Sequence, residues 1–282
     1  MRLATVIAAG RPRAALVRKG RALLLALPDE RLNTVRGIAA GGEAALGEVL
    51  TWAERHPPEA YLDLDALHLG PVVPDPGAIY TIGHNYRSAD APDDTGPERP
   101  LVYGKAASSV GGDGWVVGWD RAITENVDAE IELGVVIGTT AASVAPEKAM
   151  EHVFGYTCIN DMSSRDPWLD GDQWLIGKSM PGFCPVGPVV VTRDELDPAD
   201  LRLGCTINGT PTQEGRTSWM RFAIPQIVAY LSRHLTLRPG DLIATGTPHR
   251  LAGPIGPDDH LQPGDVVTVW VEGIGELTTT IS

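Results

Sequence analysis

Cysteine and basic residues are scarce in this 282-residue sequence. The three cysteines, Cys158, Cys184 and Cys205, sit apart among apolar neighbours. Their spacing excludes a disulfide framework and a zinc ribbon, and points to a reducing cytoplasm. Lys and Arg number 23 against 36 Asp and Glu, a formal charge of −13, which argues against nucleic acid or an anionic membrane as partner. No apolar run is long enough to cross a bilayer, and the start, MRLATVIAAGRPR, has too short an apolar stretch for a signal peptide. A long repeat and βαβ alternation are missing too.

Glycine (32) and proline (23) are plentiful, so turns are numerous. Residues 1–57 hold nine Lys/Arg against five Asp/Glu, whereas residues 58–282 hold 14 against 31, which suggests a boundary near His56-Pro57-Pro58. LATVIAA, AALVRKG and ALLLAL read as short strands separated by turns. A helix follows from about Gly42 to Arg55, ended by the two prolines. RSADAPDDTGPERP, residues 87–100, reads as an exposed loop of the length that lids often have. From residue 101 strand signals dominate, in VYGK, EIELGVVIG, FGYTCIN, GPVVVT, LGCTING, DLIATG and DVVTVWV. PEKAMEHV and PQIVAYLSRH are the helices there. The class is α+β, predominantly β.

AEIELGVVIG poses the chemical question. In a strand Glu130 and Glu132 point to the same face, and the apolar run that follows carries them to the mouth of a core. By itself Glu-Ile-Glu-Leu also fits any half-buried antiparallel strand. Two like charges at a core, however, require a proton or a cation between them. FGYTCINDMSSRD ends a strand in Asp161, with Arg165 four residues on. Beside 130–137 it would complete an all-oxygen cluster suited to Mg²⁺ or Mn²⁺, although Asn-Asp is also an ordinary turn pair. Lys178 lies in the neutral segment WLIGKSMPGFCPVGP, either on the surface or in a site. Thr245 and Thr247 lie in ATGTPHRLAG, able to hold a carboxylate or merely to close a hairpin.

In order, G-x-N-Y, K-x-x-S, E-x-E-L-x-V-V-I-G, G-Y-T-x-x-N-D-x-S-x-R-D, G-K-S, C-P-x-G-P, N-G, T-L-x-P-G-D-x-I-x-T-G-T-P and P-G-D-x-V run from Gly83 to Leu277. The series resembles the fumarylacetoacetate hydrolase family. The resemblance implies a core of mixed, rolled β-sheets over residues 71–282, a small N-terminal domain over 1–70, and a homodimer. It implies that Glu130, Glu132 and Asp161 ligate Mg²⁺ or Mn²⁺. Arg165, Lys178 and Thr247 would meet a substrate's carboxylate and keto oxygens, and Lys105 matches the family's active-site lysine. Tyr86, Trp168, Thr245 and Gly246 would line the substrate site.

Two positions depart from the pattern. Members that hydrolyse or decarboxylate commonly carry a His-Glu pair just after G-x-N-Y, where this sequence has Ala89 and Pro92. Asp90, Asp93, Asp94 and His84 are the nearby candidates for a substitute, and each also reads as an ordinary polar loop residue. Trp168 stands where members often have glutamine. Three functions follow: a hydrolase of an acylpyruvate-like β-diketo acid, an isomerase, tautomerase or decarboxylase of a related 2-oxo acid, or a non-catalytic binder of metal and 2-oxo acid.

Overall fold

The computed structural model describes residues 1–87, 96–166, 173–253 and 259–282. Strands β1 (Arg2–Ala8), β2 (Arg11–Arg18) and β3 (Arg21–Leu24) form a meander whose turns place Gly10 and Gly20 at φ of 74° and 73°. Helix α1 (Val35–Glu54) follows, then β4 (Leu62–Asp63), β5 (Ile79–Gly83) and β6 (Leu101–Lys105). Short strands β7 (Val110–Gly111), β8 (Trp115–Val117) and β9 (Val127–Asp128) lead to the long β10 (Ile131–Ile137). Helix α2 (Pro146–Ala149) precedes β11 (Val153–Asn160) and β12 (Ser163–Ser164). Helix α3 (Trp174–Gly177), β13 (Cys184–Thr192), β14 (Arg202–Ile207) and β15 (Thr210–Arg216) come next. Helix α4 (Ile224–His234), β16 (Leu242–Ala244), β17 (Val266–Val271) and β18 (Gly275–Ile281) complete the chain.

An 11-stranded sheet runs β4-β3-β2-β1-β13-β11-β10-β16-β5-β6, with β7 on β13, and a five-stranded sheet runs β15-β14-β17-β18-β8. The large sheet mixes antiparallel pairs with the parallel pair β16–β5. Strand β10 shows how one sequence serves two cores. Ile131, Leu133, Val135 and Ile137 pack toward the five-stranded sheet and α4, while Val136 packs with the core under α1. All seven β10 residues are buried, so the half-buried reading of this segment does not describe it. The first strands are not set apart by a break in the sheet, since β1 pairs with β13 at Arg2↔Val191 and Leu3↔Val190.

Helix α1 differs from the sequence reading. It begins at Val35, where Thr34 Oγ1 accepts the Gly37 N–H at 3.0 Å, and it is interrupted at Gly42 (φ 57°). The Gly41-Gly42 pair disguised its first two turns as loop, because glycine disfavours helix. Residues 88–95, most of the stretch read as a loop, lie outside the described residues. So does Trp168.

Candidate metal and substrate site

The antiparallel pairing of β10 with β11 builds the acidic cluster. The register Ile131↔Asn160 brings the strand ends together, and Asp161 N donates to Glu130 O at 2.8 Å. One oxygen each from Glu130, Glu132 and Asp161 lies within 4.8 Å of the others. Around them gather cations from distant elements. Lys105, at the end of β6, donates to Asp161 Oδ1 at 2.5 Å and to Met162 O at 3.0 Å. Lys178, just after α3, reaches Asp161 Oδ2 at 2.8 Å, Ser163 Oγ at 2.6 Å and Glu130 Oε2 at 3.4 Å. Arg165 donates to Glu130 Oε1 and, at 3.4 Å, to Asp128 Oδ2.

These partners separate the three carboxyls. Burial pushes Asp161 up, but the ammonium groups of Lys105 and Lys178 outweigh it and hold the group near about 2. Glu130 is likewise drawn down against burial, by Arg165 and Lys178. Glu132 goes the other way: burial, then the charges of Asp161 and Glu130, push it well above the usual carboxylate range. Among the described residues it accepts one hydrogen bond, from Gly246 N at 2.5 Å, and has no salt bridge. A buried carboxylate so poorly compensated, beside two others in an all-oxygen set, fits a hard dication such as Mg²⁺ or Mn²⁺.

The cluster opens onto a cavity of about 640 Å³. Arg165, Lys178, Thr247 and Tyr86, all singled out in the sequence, line it. Lys105 does not; its ammonium is fully buried behind Asp161, which it holds. Thr245 is also withdrawn, because its hydroxyl donates to Leu133 O at 2.8 Å. Gly246 acts through its N–H on Glu132, and φ of 100° suits it to glycine. Asn85 of the G-x-N-Y motif staples this turn to β5, donating to Thr245 O at 2.7 Å and Phe222 O at 3.1 Å. Among the described residues the Tyr86 hydroxyl, buried on the wall, has no hydrogen-bond partner, and burial and Glu132 raise its pKa, so it remains a donor.

The sequence reading did not single out several wall residues, Asp128, Gln213, His249 and Arg250 among them. The Asp-Ala-Glu-Ile-Glu alternation held the signal for Asp128. Burial pushes Asp128 up against the pull of Arg165 and Arg250. Gln213 gave no local signal, yet it fixes the Thr247 turn. Its Nε2 donates to Thr247 Oγ1 and Pro248 O at 2.8 Å each, and its Oε1 accepts from Ile131 N at 3.1 Å. His84 lines the cavity on a backbone at φ 53°, with its carbonyl held by Arg221 Nε at 3.1 Å. Asp90, Asp93 and Asp94 lie outside the described residues.

No described helix is long and apolar enough to cross a membrane. Residues 78–282 match the family described as fumarylacetoacetate (FAA) hydrolase C-terminal. An uncharacterized protein of Staphylococcus aureus is 38% identical over 219 residues, covering 77% of this chain and 73% of its own. The fumarylacetoacetate hydrolase of psychrophilic Exiguobacterium antarcticum superposes with a TM-score of 0.86 at 32% identity, over 100% of this chain and 99% of that one. The 2-hydroxyhepta-2,4-diene-1,7-dioate isomerase of Mycobacterium marinum gives 0.75 at 29%, over 100% and 98%. Maleylpyruvate hydrolase of Sphingobium sp. SYK-6, in complex with manganese(II) and pyruvate, gives 0.79 at 28%, again over 100% and 98%. The fold, the ordered motifs and these likenesses agree: the chain belongs to the fumarylacetoacetate hydrolase family and is an enzyme of it.

Proposed function

We propose that this enzyme binds Mg²⁺ or Mn²⁺ through Glu130, Glu132 and Asp161 and acts on a 2-oxo or β-diketo acid. Hydrolytic C–C cleavage of an acylpyruvate-like substrate is the favoured reaction. The observation that carries the reading is Glu132, a carboxyl group 3% exposed that has, among the described residues, one N–H donor and no salt bridge, set against two further carboxylates. The manganese and pyruvate held by the similar maleylpyruvate hydrolase support the same chemistry.

A dication bound there supplies Lewis acidity toward a neighbouring carbonyl. The chain's own residues do the rest. Lys178 and Arg165 set fixed positive charge beside the place where an oxyanion would grow, and each such donor is worth about 10²–10³ in rate. Lys105 keeps Asp161 ionised and oriented from behind. Because Gln213 donates to Thr247 Oγ1, the threonine hydrogen is free to be donated to a substrate oxygen. His84, one of the candidate acid–base groups, lines the cavity and is a candidate base toward water. A homodimer belongs to the same reading, tested by light scattering.

The second reading is isomerisation or decarboxylation. It is favoured by Ala89 and Pro92, which leave the family's water-activating pair absent from this sequence. Incubation with Mg²⁺ and a panel of acylpyruvates and oxaloacetate, with a chelator control, decides between the two. Chelator-sensitive release of pyruvate and an acid supports hydrolysis. Loss of enol absorbance without cleavage supports isomerisation. Turnover indifferent to chelation would remove the metal from the reaction.

A further inference from the structure

An aromatic pair stands on the cavity wall beyond the charged cluster. Tyr103 lies in β6, two residues before Lys105 and on the same face. It is therefore about 7 Å along the strand from the lysine that holds Asp161. Trp174 opens α3, four residues before Lys178. The two rings stack, with centroids 4.7 Å apart and planes inclined by 30°. Lys178 Nζ joins the pair to the acidic cluster, since it lies 5.9 Å from the Trp174 ring centroid and donates to Asp161 Oδ2 at 2.8 Å. A platform of π-faces thus begins beside the ammonium that touches the carboxylates.

The backbone makes room for this platform. Gly83 of β5 has no side chain, and a Cβ there would lie 2.5 Å from Tyr103 Cε2, so the ring rests against bare main chain. Both rings are half-buried, and both line the cavity together with Ile82, Pro248 and Leu251. Core packing would have closed such a surface; here it faces the space that a ligand of the cluster enters. Charged groups fix one end of such a ligand, and apolar and aromatic walls receive the rest. Between a flat ring and a saturated one of similar size, stacked aromatic side chains favour the flat one, because their quadrupoles prefer an offset or edge-on aromatic partner.

We propose that Tyr103 and Trp174 are specificity-determining residues that stack on the far end of the substrate, making the preferred ligand a 2-oxo acid with an aromatic group at that end. The assignment rests on the metal and 2-oxo acid reading above. Calorimetry in Mg²⁺ tests it with 2-oxo-4-phenylbutanoate, 2-oxo-4-cyclohexylbutanoate and 2-oxopentanoate. The three share the 2-oxo acid end and differ in carrying a flat ring, a saturated ring or none. The wild type is expected to bind the phenyl acid about 3- to 10-fold tighter than the cyclohexyl acid, the gain an aromatic contact adds beyond the area it buries. Trp174→Leu is expected to bring that ratio to unity or below while 2-oxopentanoate binds as before. Tyr103→Leu, which takes away the surface under the tryptophan, is expected to lower the ratio as well, and decides the matter if the Trp174 variant does not fold.

If the aromatic pair merely braces Lys178, all three affinities fall together and the phenyl-to-cyclohexyl ratio survives in both variants, which overturns the proposal. A wild type that binds the cyclohexyl acid as tightly as the phenyl acid overturns it as well, and leaves the 2-oxo acid reading standing. Binding of none of the three defeats that reading and this assignment with it.

Discussion

At Glu132 a carboxyl group whose ionisation is disfavoured lies buried with one N–H as its hydrogen-bond donor among the described residues, and its two nearest acidic neighbours are themselves held by lysines and an arginine. Replacing it with the isosteric glutamine removes the cost of holding that carboxyl against ionisation and keeps the acceptor for Gly246. Glu132→Gln is therefore expected to raise the Tm of chelator-treated protein, and to weaken Mg²⁺ binding by more than about 100-fold, beyond the 10–100-fold typical of outer partners. A calorimetric Mg²⁺ affinity equal to wild type would defeat the metal assignment. The cysteines give a separate test. Cys158, Cys184 and Cys205 are buried, and burial pushes Cys184 up to about 12 and Cys205 to about 11 from an ordinary value of 9.0. Unfolded thiols lose their protons first as pH rises, so stability falls above about pH 9. A thiol reagent at pH 8 should find none of the three in folded protein and all three in denaturant. The burial of all three agrees with the scattered, apolar settings they have in the sequence. The three ligand candidates were legible there too, since like charges entering a core demand compensation. Lys105 behind Asp161 was not, because a lysine's partner across the fold leaves no local trace.

Among the elements, the turn after β16 couples backbone conformation to the site. A Cβ on Gly246 would meet Asn85 Cβ at 2.7 Å and Ile82 O at 2.9 Å, on a φ of 100°. Gly246→Ala is expected to cost about 1–3 kcal/mol in a denaturant titration, and to draw its N–H away from Glu132, so that Mg²⁺ affinity falls with stability. A variant as stable as wild type would show that the turn adapts. Gly42, also at positive φ (57°, with ψ −143°), has nothing within 4 Å of a Cβ, so Gly42→Ala meets no clash and should lose about 1–3 kcal/mol to backbone strain alone, with Mg²⁺ affinity unchanged. Such backbone demands explain where the sequence was and was not readable. Strands announced by β-branched runs, such as GPVVVT and DVVTVWV, correspond to β13 and β17. The opening turns of α1 did not announce themselves, because their cap, Thr34, precedes a glycine-rich stretch that hides the periodicity. Arg250 was hidden differently: ATGTPHRLAG drew notice for its hydroxyls, and only the pairing with Asp128 gives the arginine a meaning.

Across the whole molecule, the site joins segments that are far apart in sequence, from Lys105 to Arg250, so a bound cation should be felt by the entire fold. At a Mg²⁺ concentration of 100 times Kd the linkage is about 2.7 kcal/mol, and at about 2–4 °C per kcal/mol Tm should rise by several degrees on loading and return on chelation. A Tm indifferent to both would count against the site. The order of strands in the large sheet could not be read from sequence, since β1 beside β13 depends on surfaces nearly 190 positions apart rather than on local pattern. That pairing bears on synthesis. The meander of β1, β2 and β3 leaves the ribosome before β13, and although residues 68–70 bond the outer edge of β1 at Thr5 to Ile7, its other end at Arg2 and Leu3 has no partner until Val190 and Val191 have been made. At about 5–20 residues per second the wait is on the order of ten to forty seconds. During translation the nascent chain therefore carries an open sheet edge, and a ribosome stalled before β13 would hold it open indefinitely.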